Sequence, residues 1–476
     1  MNALSAMKRN MNVSQSSQFI STRGEAPQTG FADVLLAGLA PDGGLYMPAA
    51  WPQFSAGEIA AFAGQRYQDV AFAILSRFVG DSFTAAELKE DIDAAYAGFT
   101  HTEIAPLSAM TGNRYLLELF HGPTFAFKDI ALQILGRLFS RALTRRGGKA
   151  TVVAATSGDT GSAAIAALGG LPNIEVFVLH PKGRVSEVQR RQMTTSGHAN
   201  VHNIALEGSF DDAQGIVKGL FAEKEFAREI GLTAVNSINF VRIAAQSVYY
   251  FTATAALGKP ATFIVPTGNF GDIFAGEAAE RMGLAAGRLV IATNANDIMA
   301  RALNEGVYEA GAAYHTISPS MDIQVASNFE RALFEASGRD AGWTRSAMEE
   351  FSRDRRLVLP APILSELRSR YDARSSDDED TLSTINAIAG TSGRIIDPHT
   401  AVAVNALRKF GFREEPMVVL STAHPAKFAD AVINATGAPP PMPEELQRLL
   451  NLPEELKILP NNLALIRHFI SSRLAG

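Results

Sequence analysis

Cysteine is absent from the 476 residues. That excludes a disulfide frame, a thiolate metal site and a cysteine nucleophile, and it fits a reducing compartment, so the cytoplasm is the expected location. Charged residues make up only 19%, the net charge is −6 and the pI is about 5.9. No basic stripe marks a nucleic-acid partner. No uninterrupted apolar run reaches membrane-spanning length, so no membrane partner is expected. The first ten residues lack the apolar region of a signal peptide and read as a frayed extension. There are no internal repeats. What is abundant is apolar residue, 47% of the chain, enough for two or three domains.

Residues 17 to about 100 read as a separate α+β unit. Gln18–Arg23 is a short strand entering a turn at Ser21-Thr22-Arg23-Gly24 that could approach a site, Phe31–Leu39 a helix, and Pro41-Asp42-Gly43-Gly44 a strong turn. Helical patterns follow at Ser55–Ala63, Tyr67–Phe78 and Ala85–Phe99, the first opened by a Ser55/Glu58 capping box. From residue 101 strand and helix alternate. The expected strands are Thr151–Ala155, Glu175–Leu179, His202–Leu206, Ala261–Val265, Leu289–Ala292 and Met417–Leu420. Each is short, mostly apolar and bounded by turn residues, which predicts open, mostly parallel sheets with helices on both faces. Pro181–Ser186 reads as a surface connection whose basic residues could greet an anion. Tyr371–Ser383 reads as a solvated acidic loop. The expected organisation is an N-terminal domain over 1–100, a catalytic unit over 101–440 with a smaller mobile lobe at about 145–235 nested inside it, and a helical tail over 441–476.

Three stretches carry chemistry. In His121-Gly122-Pro123-Thr124-Phe125-Ala126-Phe127-Lys128-Asp129 an apolar segment enters a turn and a helix leaves it. Lys128 falls in the first helical turn, where the macrodipole disfavours a cation, and Phe120, Phe125 and Phe127 are expected to surround it. Desolvation there would lower its pKa and suit it to a Schiff base with a carbonyl cofactor. A snorkelling lysine at a helix start is the alternative on this segment alone. Thr267-Gly268-Asn269-Phe270-Gly271-Asp272 follows a strand and opens a helix, as a phosphate cradle does. Thr156-Ser157-Gly158-Asp159-Thr160-Gly161-Ser162 has the same placement and offers hydroxyls and N–H groups to a carboxylate.

Together these stretches resemble the threonine synthases of the bacterial and fungal branch, which belong to the pyridoxal-phosphate enzymes of fold type II, the tryptophan-synthase-β-like fold. The matching pieces are HGPTFAFKD at His121, TSGDTGSAA at Thr156, NSINFVR at Asn236, PTGNFGD at Pro266 and STAHPAKF at Ser421. They stand in family order and cover most of the chain.

The resemblance implies a two-lobed catalytic unit beside the N-terminal domain, with pyridoxal 5'-phosphate as cofactor. Lys128 is then the cofactor lysine and general base. Gly268, Asn269, Phe270 and Gly271 hold the cofactor phosphate. Thr422, with Ser421 as its rival, meets the pyridine nitrogen, and Asp159 lies beside the ring with its protonation open. Ser157, Gly158 and Thr160 suit the substrate α-carboxylate, and Asn236, Ser237 and Arg242 a phosphate on the substrate. His424 and His399 are expected to be structural. The implied activity is conversion of O-phospho-L-homoserine and water to L-threonine and phosphate, by a lyase acting as a monomer or homodimer. Its rivals are a serine or threonine dehydratase or a β-replacement synthase of the same fold, and a cofactor-binding protein without turnover. No metal site is expected.

Overall fold

Residues 17–233 and 237–475 are described by a computed structural model. The strands in chain order are β1 (Phe19–Ser21), β2 (Tyr46–Pro48), β3 (Leu107–Ala109), β4 (Arg114–Glu118), β5 (Ala150–Ala155), β6 (Ile174–Pro181), β7 (Val201–Glu207), β8 (Leu232–Thr233), β9 (Thr262–Pro266), β10 (Leu289–Thr293), β11 (Val307–Glu309), β12 (Arg356–Val358), β13 (Tyr371–Ser375), β14 (Met417–Ser421) and β15 (Lys457–Pro460). A six-stranded sheet runs β13-β10-β9-β14-β4-β3 and a five-stranded sheet runs β15-β7-β6-β5-β8. Every pairing in them is parallel except β3 with β4.

Strand composition explains the layering. All of β9 and β14 is buried, as expected of parallel strands covered on both sides. Alternate residues part company across the six-stranded sheet. Phe263, Val265, Ile291, Val418 and Leu420 pack under helices such as Lys128–Arg146 and Phe240–Leu257, whereas Ile264, Val290, Val419 and Leu116 pack under Pro398–Phe410. The five-stranded sheet divides likewise, Val152, Val176 and Val178 to one face and Val153, Phe177, Leu179 and Ile204 to the other. No described helix is long and apolar enough to cross a membrane.

The expected strands form within a residue or two of their anticipated ends, and Ser55 and Glu58 make the capping box. The Ser21–Gly24 turn stays away from the central cleft. Thr22 Oγ1 donates to Glu330 Oε1 at 2.6 Å and Arg23 pairs with Glu330 at 2.9 Å, fastening β1 to the helix Phe329–Ala336.

Two readings are corrected. Tyr371–Ser383 is not a solvated loop: Tyr371–Ser375 is an edge strand beside β10, and Tyr371 is buried against Glu277. The acidic run opens the next helix. Asp377 caps it by accepting from Asp380 N–H, and Asp378, Glu379 and Asp380 occupy its first turn, where the macrodipole favours negative charge. The tail after 441 is not purely helical either. β15 adds an edge to the five-stranded sheet and the helix Leu463–Leu474 buries Ile466 and Ile470 against that sheet's outer core. Lys457-Ile458-Leu459-Pro460 is too short for a helix, and a terminal proline is tolerated on an edge strand.

Candidate active site

Four loops leave the carboxyl ends of β4, β5, β9 and β14 and meet in one cavity of about 2090 Å³ between the two sheets, where open α/β sheets bind ligands. Its lining includes Lys128, Ser157, Asp159, Thr160, Ser237, Arg242, Thr422 and all of Gly268–Gly271. Gly158 is absent from it. Its N–H donates to Thr156 Oγ1 at 2.9 Å, and a Cβ on it would lie 2.4 Å from Gln189. Asn236 lies outside the described residues.

Lys128 begins its helix after a turn that Asp129 closes. Asp129 accepts from Thr124 N–H at 2.8 Å and Thr124 Oγ1 at 2.7 Å, and Gly122 is needed there because a Cβ would come within 2.4 Å of Asp129 Cβ. Burial pushes the Asp129 carboxyl up to about 6. Of the three expected phenylalanines only Phe127 faces the amine, its ring centre 4.9 Å from Nζ. Phe120 and Phe125 instead pack edge-on against His424, because the turn reverses at Phe125, which has φ 58°. Burial lowers the Lys128 pKa, opposed by Asp159 and reinforced by Lys427 and Arg242.

The loop after β9 has the properties of an anion cradle. Phe270 takes a left-handed backbone (φ 64°) at the cap of the helix Gly271–Arg281. The N–H groups of Gly268, Asn269, Phe270 and Gly271 donate to no acceptor among the described residues. Asn328 fixes the loop from behind, its Nδ2 donating to Asn269 O and Ser237 O at 3.1 Å each. A Cβ on Gly268 would come within 2.9 Å of the Ser320 carbonyl. Four free N–H groups at a helix start, with no room for a side chain at Gly268, fit the phosphate of pyridoxal phosphate.

The other predicted groups sort by geometry. Ser421 Oγ lies 3.0 Å from Thr400 Oγ1, so that hydroxyl is engaged behind the wall, while Thr422 faces the cavity. His424 caps the turn Pro425–Phe428 by accepting from Ala426 N–H, and burial pushes it down to about 4. His399 lines the cavity, held by Asp397 at 2.8 Å, and accepts from Ser320 N–H at 3.2 Å. Asn239 is the cap of Phe240–Leu257.

Arg242, on the first turn of that helix, is 4% exposed and lines the cavity. Its Nε is buried without a hydrogen-bond partner, no ion pair joins it among the described residues, and burial lowers its pKa to about 10 against the opposing influence of Tyr249 and Asp272. A desolvated, unpaired cation facing a cavity is a site for an anion.

Models of three families cover the chain: "Threonine synthase N terminus" over residues 18–96, "Pyridoxal-phosphate dependent enzyme" over 98–423 and "Threonine synthase, C-terminal" over 400–470. The chain belongs to the threonine synthase family. The threonine synthase of Pseudomonas aeruginosa is 47% identical over 459 residues, 95% of this chain and 98% of that one. A pyridoxal-phosphate-bound threonine synthase from Brucella melitensis superposes with TM-score 0.95 at 48% identity, covering 96% of this chain and 99% of its own. The yeast enzyme superposes with TM-score 0.92 at 38% identity over 97% and 99%. The fold is that of the fold type II enzymes and the cofactor is pyridoxal phosphate, in agreement with the cradle and the buried lysine.

Sequence reasoning passed over Gln189 and Ser320, and placed Lys427 in the motif at Ser421 without a role. Gln189 Nε2 donates to Asp159 Oδ1 at 2.8 Å, Ser320 Oγ lies 3.4 Å from Asp159 Oδ2, and Lys427 Nζ lies 2.8 Å from Asp159 Oδ1. For Lys427 a signal existed, a lysine set among Pro425, Ala426 and Phe428 directly behind a site motif.

Proposed function

We propose that this chain catalyses the conversion of O-phospho-L-homoserine and water to L-threonine and inorganic phosphate, the last step of threonine biosynthesis. The observation that carries the substrate is Arg242, a buried guanidinium without an ion-pair partner among the described residues, in the same cavity as Lys128 and the cradle. One anion, the cofactor's, is answered by Gly268–Gly271; a second cationic site calls for a second anion on the substrate.

Pyridoxal phosphate, when bound, supplies a ring that delocalises the negative charge developed at the substrate's Cα. Gly268, Asn269, Phe270 and Gly271 would hold its phosphate by N–H groups, Thr422 would offer a hydroxyl to its pyridine nitrogen and Asp159 would stand near its ring. Ser157 and Thr160 bind the α-carboxylate; Gly158, whose N–H is engaged, shapes that loop. Arg242 and Ser237, with Asn236, hold the substrate phosphate. Lys128 takes the proton from Cα and then from Cβ. The Cγ–O bond breaks with its electron pair leaving on phosphate, water adds at Cβ and the protons return to carbon. The protein works in the cytoplasm as a monomer or homodimer, without a nucleic-acid partner, a reading supported by the absence of cysteine and the net charge of −6.

A steady-state assay tests the proposal. Threonine and phosphate should appear in equal amounts from O-phosphohomoserine. Phosphate without threonine, or a keto acid formed from serine or threonine at a comparable rate, would assign the chain to another reaction of this fold.

Closure belongs to the same reading. The carboxylate loop sits on the five-stranded sheet, whereas Lys128, the phosphate cradle and Thr422 sit on the six-stranded sheet. The lobe at about 145–235, joined by β15 and Leu463–Leu474, moves toward the cradle when substrate binds and excludes water during proton removal. An unreactive phosphonate analogue is expected to raise hydrogen-exchange protection across 145–235. Unchanged protection with the analogue demonstrably bound would mean a rigid site.

A further inference from the structure

Lys427 has the least exposed charge in the site. It lies in the turn Pro425–Phe428 that follows β14, and its side chain is 0% exposed. Its Nζ donates to the Thr124 carbonyl at 2.7 Å and pairs with Asp159 Oδ1 at 2.8 Å. Lys128 Nζ reaches the other oxygen of the same carboxylate at 3.6 Å. Two buried ammonium groups thus share one carboxylate, and a buried charge is tolerated only when matched.

The sharing is unequal. Lys427 has the shorter contact and a carbonyl acceptor as well. Lys128 has the longer contact, the face of Phe127 and the field of Arg242. The surplus proton therefore comes off Lys128. We infer that Lys427 is the resident counter-ion of Asp159 and that, by holding this carboxylate, it keeps the Lys128 amine in its uncharged, reactive form. Lys427 is then a positioning residue, and the inference rests on Lys128 being the reactive amine.

The surrounding charges agree. Lys128 is faced by Asp159, Lys427, Arg242 and Asp272. Asp272, its Oδ1 engaged by Tyr249 and Tyr250, is pushed by burial up to about 7 and is a weak anion near neutrality. Lys427 is faced by Asp159, by Asp129, which the Thr124 turn engages, and by His424. For Asp159 burial would raise the carboxyl, but Lys427 and Lys128, with Gln189, hold it well below the usual carboxylate range. On this reading Asp159 is the charged member of the three.

The test reads Lys128 directly in the cofactor-free protein, so its outcome is separate from that of the activity assay. Competitive acetylation with acetic anhydride at a series of pH values, followed by mass mapping, gives the fraction of Lys128 that is neutral. In the unaltered protein the midpoint should lie below the free-lysine value of about 10.4. Lys427→Met should raise it by about one pH unit or more, roughly a tenfold loss of neutral amine at fixed pH. Lys427→Arg, which keeps the charge, should leave the midpoint near its original value. An unchanged midpoint in folded Lys427→Met, or one as high in Lys427→Arg as in Lys427→Met, overturns the inference. If Lys427→Met does not fold, because it leaves Asp159 buried and less well paired, Lys427→Gln, which keeps an N–H donor for Asp159 but no charge, takes its place. Its Lys128 midpoint should also rise, and an unchanged midpoint overturns the inference.

Discussion

Lys128→Ala is expected to lower turnover by about 10⁴-fold or more, since one amine serves both as cofactor anchor and as general base. Borohydride treatment of the unaltered protein should fix pyridoxal phosphate on Lys128 and nowhere else; mass mapping to another lysine would refute the assignment. The cofactor-free variant should be at least as stable as its parent. A lysine whose folded pKa is lowered binds fewer protons folded than unfolded. Stability therefore rises with pH between the lowered value and the unfolded value of about 10.4, and at neutral pH this lysine costs stability. Burial, which lowers it, is the largest influence on the Lys128 pKa. Thermal unfolding of the cofactor-free proteins between pH 7 and 10 should show the slope in the parent and a weaker slope in Lys128→Ala. A clear loss of stability in the variant at pH 7 would mean that the ion pair with Asp159 outweighs desolvation.

Arg242→Ala is expected to cut kcat/KM for O-phosphohomoserine roughly ten- to a hundredfold, the loss of a charge-assisted contact of about 1.5–3 kcal/mol. Pyridoxal-phosphate absorbance should be unchanged, and inhibition by a phosphonate analogue should weaken by the same factor. The cofactor-free variant should also unfold at a higher temperature, because Arg242 is 4% exposed, its Nε has no hydrogen-bond partner, and desolvation outweighs the opposing influence of Tyr249 and Asp272. A site kept charged for its ligand and destabilising without it is the usual conflict between function and stability. Equal losses on phosphorylated and unphosphorylated substrates, together with a lowered unfolding temperature, would make Arg242 a structural residue.

What the sequence determined by itself is local. The Ser55/Glu58 box, the strand–loop–helix punctuation at Thr156 and Thr267, and the turn before Lys128 depend on residues within a few positions of one another, so residue type and spacing suffice. The buried strands were legible for the same reason, as short apolar runs between turn residues. Edge strands were not. Tyr371–Ser375 and Lys457–Pro460 are half-polar, and an acidic run beside the first looks alike as a solvated loop and as a charged first helical turn. Only the tertiary structure decided which aromatics reach Lys128, that Ser421 turns to Thr400 and leaves Thr422 in the cavity, that Arg242 lacks an ion-pair partner among the described residues, and that Lys427 and Lys128 divide the charge of Asp159. Each depends on contacts between segments distant in the chain, and the energy of a buried charge is set by what surrounds it rather than by its neighbours in sequence.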